Sequence, residues 1–295
     1  MSLALLLEQL LNGLQFGLML FLLSVGVTLI FGVMNLVNIS HGSLFMLAAF
    51  FTYSAGARWG YGLGLLIGLG GIIIVAILLE WLVIRRLYQK SHLDQVLGTF
   101  GLMLIFNELV RIIWGSEPIF ALTPNWLSGS IQLSENLYYP TYRLAITVVA
   151  ILAGLAIWLL LSRTRIGMLV RAGADKRETV EALGVNINFL FAVVFVIGAV
   201  LAGLAGIMMG PLITVESGIG DPLLILALVV IVVGGAGSLK GCLAASVLIG
   251  MIDTLSRALV TADFAGGAGR AISSMSVYLL MLVVLLLRPQ GLFTR

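Results

Sequence analysis

Seven predominantly apolar stretches dominate the sequence, at 10–33, 42–57, 61–84, 95–115, 143–162, 189–211 and 271–288. A bilayer core about 30 Å thick needs about 20 apolar residues per helix, because backbone groups inside it find no water. The stretches lack the apolar/polar alternation of a barrel strand, so helices are the remaining solution. An eighth stretch, 222–258, is too long for one span and is broken at 234–241; it reads as two segments, the first of them short. The expected fold is an all-α, polytopic helical membrane protein with eight or nine membrane segments, including discontinuous or short helices, in one domain over 1–295.

Composition agrees. Charged residues make up 10% of the 295-residue chain and hydrophobic ones 61%, against roughly 25% charged in a soluble domain. The pI of 9.2 reflects a net charge of only +3 from 16 basic and 13 acidic side chains. No basic stripe exists to neutralise many phosphates, so nucleic acid is not an expected partner. One cysteine, Cys242, excludes an intramolecular disulfide and a multi-thiolate zinc site, and with only His41 and His92 as imidazoles no metal centre is expected. The first Lys or Arg is Arg58, so the opening run lacks the basic start of a signal peptide and is expected to stay as a span.

Basic residues set the orientation. Arg85, Arg86 and Lys90 form one cluster, and Arg163, Arg165, Arg171, Lys176 and Arg177 a second. Two spans separate them, so both fit the cytoplasmic side. The loop 115–142 holds Glu117 and Glu135 without Lys or Arg and is expected outside.

Eight of the 29 charged residues crowd into the loop 163–186. Asp175 and Glu178 have capping-box spacing, and Gly184 is placed to supply a left-handed C-terminal residue. A helix of about two turns is expected between them, with Val180 and Leu183 sharing an apolar face and Arg177, Glu178 and Glu181 around it. Such a helix suits docking into a soluble partner; the loop's five basic residues equally suit contact with anionic lipid.

Two other segments interrupt apolar runs. Asn35, Asn38, Ser40, His41 and Gly42 make a polar break that either lines a solute path or forms a cytoplasmic turn. The second break, with Gly234, Gly235, Gly237, Ser238 and Gly241, is not a Walker A loop, because Lys240 precedes Gly rather than Ser or Thr. ATP hydrolysis, if used, belongs to another chain. Paired breaks of this kind occur in transporters built from repeats. Intramembrane charges are sparse: Glu108 with Arg111 and Asp253 with Arg257 have helical pair spacing, and Glu8, Asn12 and Gln15 share a face of the first helix. Each suits structural pairing or a path. Gly pairs four apart, such as Gly13 and Gly17, favour close helix packing. No catalytic constellation is visible.

Together, the 35–42 segment, the loop with Glu181-Ala182-Leu183-Gly184, and the 234–241 break resemble the LivH-type permease subunits of branched-chain amino acid ABC importers, across nearly the whole chain. The resemblance implies a non-enzymatic subunit without its own cofactor. It further implies a LivM-type second permease, two cytoplasmic LivG- and LivF-type ATPases carrying ATP and Mg, and a periplasmic binding protein that delivers the small-molecule substrate. The site would be a bacterial inner membrane. The segment 163–188 then looks like the ATPase-coupling loop, with Asp175, Arg177, Glu178, Val180, Glu181, Ala182, Leu183 and Gly184 as contacts. Relatives of this wider group serve branched-chain amino acids, urea, short amides or aromatic acids. A stand-alone secondary transporter is the alternative reading.

Overall fold

The computed structural model describes residues 3–121, 123–134, 137–175, 177–260 and 268–293. In chain order the elements are α1 (Leu3–Met34), α2 (His41–Trp59), α3 (Tyr61–Leu79), α4 (Arg85–Leu87), α5 (His92–Trp114), β1 (Ser130–Ser134), β2 (Leu137–Pro140), α6 (Thr141–Arg163), α7 (Arg165–Asp175), α8 (Arg177–Ala182), α9 (Ile187–Met209), α10 (Gly220–Gly234), α11 (Leu239–Leu259) and α12 (Gly269–Leu287). Among the described residues six helices are long and apolar enough to cross a membrane, and two shorter apolar ones, Gly220–Gly234 and Ala271–Leu287, join them. A π-helical turn at Glu80–Ile84 links α3 to α4, making one continuous span, Tyr61–Leu87. The chain is a multi-pass helical membrane protein.

The 222–258 stretch divides into α10 and α11, the first of them 15 residues long. Two features were not anticipated. The loop before α6 folds into an antiparallel hairpin, β1 with β2, and the loop 163–186 carries two helices rather than one.

α1, α2 and α9 form the centre, and residues 41–50 of α2 are all buried. α3, α5, α6 and α12 turn Leu66, Ile74, Ile112, Leu152 and Leu286 outward, which a lipid or subunit contact permits and water would not. α1 packs on α11 through glycine: a methyl group at Gly13 would lie 2.9 Å from the Met251 Cα, and one at Gly17 2.8 Å from the Val247 Cα. This is the close approach that the Gly13/Gly17 spacing promised.

Arg85, Arg86, Lys90, Arg163, Arg165 and Arg171 belong to the connections that the positive-inside rule expects in the cytoplasm. α2 runs away from that end of the bundle and α10 towards it.

Candidate functional site

The polar segment 35–42 does not turn at the membrane surface. α1 ends at Met34, Asn35 takes φ +50, the only positive φ outside glycine among the described residues, and the chain climbs back inside in extended form. The depth follows from His41. Its ring lies against Gly26 of α1, which also abuts Gly198 of α9: a methyl at Gly26 would sit 2.7 Å from both His41 Nε2 and the Gly198 oxygen. Gly198 is the middle residue of the 23 in α9, so α2 starts about halfway through the bundle.

An extended segment at that depth needs partners for its amides. α5 supplies them: Val37 donates to Gln95 Oε1 at 3.4 Å and Ile39 to Thr99 Oγ1 at 3.0 Å. Gln95 in turn donates to the carbonyls of Leu87 and Lys90, at 3.2 and 3.3 Å. Asn38 Oδ1 accepts from the backbone and hydroxyl of Ser40, at 3.1 and 2.7 Å.

A second re-entrant segment, 210–219, approaches from the opposite side. It pairs with the outer loop through a bridge between Ile119 and Val215, both bonds 2.9 Å, and it too is held by α5. Ser217 donates to the Asn107 carbonyl at 2.8 Å, and Asn107 donates to Asp221 Oδ2 at 3.0 Å in the first turn of α10. The two breaks meet at glycine: a methyl at Gly42 would lie 2.5 Å from the Gly220 oxygen, and one at Gly220 would strike Gly42. α2 and α10 therefore begin back to back inside the bundle and leave in opposite directions.

This corrects the expected pairing of breaks. The partner of 35–42 is 210–219, not 234–241. The glycines at 234–241 serve a tight turn between α10 and α11: Gly235 and Gly237 take φ +96 and +82, and Ser238 caps α11 by accepting from the Gly241 amide at 3.1 Å. Gly234 lies against Gly241, and the tail at 290–293 crosses the turn, where Leu292 and Phe293 donate to the Val233 and Gly234 carbonyls at 2.8 and 3.2 Å. No side chain fits between backbones so placed.

Asn38, Ser40, His41 and Gly42 are buried inside the chain, while Asn35 is exposed and Ile39 half-buried. They form a packed junction, not an open lining. Asn38 Nδ2 and both His41 ring nitrogens lack hydrogen-bond partners among the described residues; the Leu23 carbonyl is the polar group near the ring.

In the 163–186 loop, Asp175 closes α7 instead of opening the next helix. Lys176 lies outside the described residues, as do the side chains of Asp175, Arg177 and Glu178. α8 ends in a Schellman motif: Gly184, at φ +82, donates to the Glu181 carbonyl at 2.9 Å, and Val185 donates to that of Val180 at 3.4 Å. Val180 and Leu183 do not share a face. Val180 is 4% exposed in the core, whereas Leu183 is 78% exposed. The helix stops at Ala182, so its periodicity no longer steers Leu183. Glu181, Ala182 and Gly184 are exposed beside it. Behind them α7 is anchored: Val170 is buried, Thr164 Oγ accepts from the Gly167 amide at 3.2 Å, and Arg171 donates to the Leu161 carbonyl at the end of α6.

Both charge pairs expected from helical spacing form. Arg257 binds both carboxylate oxygens of Asp253 at 2.9 Å, and Glu108 meets Arg111 at 3.0 Å on an exposed surface. Arg143 donates to Asn12 Oδ1 and Gln15 Oε1, at 2.9 and 3.1 Å, which explains the polar face of α1. The residues not foreseen are Gln95, Thr99, Asn107 and Asp221; for the first three, polar side chains spaced at four and eight along the largely apolar α5 were the available signal.

Comparison with known proteins agrees with this architecture. Residues 9–286 match the family described as branched-chain amino acid transport system / permease component. The chain is 26% identical over 304 residues to the high-affinity branched-chain amino acid transport system permease protein LivH of Escherichia coli, covering 98% of this chain and 96% of that one. It is 27% identical to BraD of Pseudomonas aeruginosa, a permease protein of the same description, with the same coverage. In fold it resembles a chain of a transporter described as of metal-chelate ABC type in an inward-facing conformation, at TM-score 0.52 and 20% identity over 95% of this chain and 85% of that one. The chain belongs to the family of branched-chain amino acid transport permease components.

Proposed function

We propose that this chain, as a single transmembrane domain, is one of two permeases in an ATP-driven importer of the bacterial inner membrane that moves branched-chain amino acids or a related small solute. A LivM-type permease would complete the path, LivG- and LivF-type ATPases would carry ATP and Mg on the cytoplasmic side, and a periplasmic binding protein would deliver the solute. The family match and the two nearly full-length relatives named above support the solute class.

The observation that carries the coupling role is the tip of α8. Leu183 is 78% exposed beside a left-handed Gly184, while Val180 in the same short helix is buried. An exposed leucine on a rigid, anchored knob fits a groove on a soluble partner. In this reading Glu181, Ala182, Leu183 and Gly184 contact an ATPase, with Asp175, Arg177 and Glu178 at the rim. Motion of the ATPase pushes α8, and α7 passes the push to α1, α6 and α9, on which it packs. The junction of α2 and α10 is where the spans pivot, with Asn38, Ser40, His41 and Gly42 holding it, Asn35 facing the solute side and the 234–241 turn redirecting α10 into α11. Coupling works because ATP and solute then bias the same two-state element.

The test is Leu183→Asp in the complex of two permeases and two ATPases, with the binding protein supplied. Membrane insertion should be normal, while co-purification of the ATPases and ATP-dependent uptake should both fall sharply. Normal values for both would sink the docking role. Solute flux through the chain alone in liposomes, without ATPases, would favour a stand-alone transporter instead.

A further inference from the structure

Two cavities on the face assigned to the cytoplasm adjoin one another. The lower, about 460 Å³, lies among α1, α6, α7 and the 237–240 turn, and its polar wall consists of Arg171, Lys240, Ser162, Ser238 and Thr28. The upper, about 330 Å³, is lined by Leu18 and Phe21 of α1, by Ile151, Gly154 and Leu155 of α6, and by Leu243 of α11, among others. Trp158, Leu239 and Lys240 line both. Together the neighbouring cavities make a hollow with a cationic part and an apolar part.

Among the described residues no Asp or Glu lines either cavity, and neither Lys240 nor Arg171 forms an ion pair. Arg171 spends one donor on the Leu161 carbonyl, which leaves the rest of its guanidinium for a ligand. Lys240 stands in the first turn of α11, where the helix dipole adds positive potential. The apolar part extends along α6 from Trp158 to Ala150, about 12 Å at 1.5 Å per residue. That is close to one leaflet of a hydrocarbon core about 30 Å thick. Gly154 keeps the groove shallow but open: a methyl there would already lie 2.9 Å from the Phe21 ring.

We propose that this hollow holds one anionic phospholipid of the cytoplasmic leaflet, its phosphate between Lys240 and Arg171 and an acyl chain in the groove between α1, α6 and α11. Basic pockets between spans on the cytoplasmic side suit such headgroups, and the aligned apolar groove distinguishes a lipid from a free anion. The lipid would bridge α7, which carries the exposed α8, to the α10–α11 turn.

The test is native mass spectrometry of the full chain in detergent, with phosphatidylglycerol or phosphatidylcholine added in equal amounts and inorganic phosphate as a third arm. Wild type should retain phosphatidylglycerol about tenfold over phosphatidylcholine. Lys240→Gln should reduce that preference about fivefold, while Lys90→Gln, on the same face outside the hollow, should not. Leu155→Trp, which narrows the groove at an exposed site, should lower phosphatidylglycerol retention with the charges intact. Equal retention of the two lipids, or equal losses in the Lys240 and Lys90 variants, would overturn the site. Full displacement of the lipid by millimolar phosphate would overturn the lipid assignment in favour of a free anion.

Discussion

The contact between Gly42 and Gly220 gives the sharpest stability test. In Gly42→Ala the new methyl would lie 2.5 Å from the Gly220 oxygen and 2.9 Å from its carbonyl carbon. Ordinary contact begins at 3.4 Å, so two backbones have to separate by roughly 1 Å, and neither is a flexible side-chain end. Overpacking of this kind costs about 3 kcal/mol; alanine in place of helical glycine returns about 1 kcal/mol. The net loss should be about 2 kcal/mol, or roughly 30-fold in the folded population. Gly70→Ala is the control, because its methyl would meet nothing within 4 Å; it should be neutral or stabilising by up to about 1 kcal/mol. Reversible unfolding of the full chain in mixed micelles measures both. If Gly42→Ala costs no more than Gly70→Ala, the two half-helices do not meet as described.

Thr99→Val removes the hydroxyl that accepts from the Ile39 amide and should cost about 1–3 kcal/mol, with faster hydrogen exchange confined to 36–40; unchanged exchange would refute the support role of α5. Gly184→Ala forces a side chain to φ +82 and should cost about 1 kcal/mol, seen as increased exchange across 177–185 with the spans unaffected. Glu108→Gln breaks a pair whose side chains are 53% and 63% exposed, so unfolding should shift by less than about 1 kcal/mol.

The spans were legible because apolar run length is a direct demand of the bilayer, and the C-terminal cap at Gly184 because only glycine enters the left-handed region cheaply. The 35–42 break was visible by composition, but its depth depends on His41 and Gly198 both packing at Gly26, three residues far apart in the chain. Its true partner, 210–219, was hidden: Leu212, Ile213 and Val215 look like a continuing span, whereas Gly234 to Gly241 advertise a break and form only a turn. Val180 and Leu183 were assigned to one face by helical spacing that ends one residue too early. The role of α5 was missed because its partners are distant in sequence: Gln95 and Thr99 accept from the Val37 and Ile39 amides, and Asn107 binds Ser217 and Asp221.

The separation between break and support also sets the timing of biosynthesis. The amides of Val37 and Ile39 find their acceptors 58 and 60 residues later in the chain. At 5–20 residues per second, translation needs about 3–12 s to supply them. During that interval a segment with two bare amides has no place in hydrocarbon and stays at the interface or in the insertion machinery. The 210–219 segment faces no such delay, since Asn107 precedes Ser217 by 110 residues. The first half of the chain thus docks its break late, and the second half docks its own on arrival.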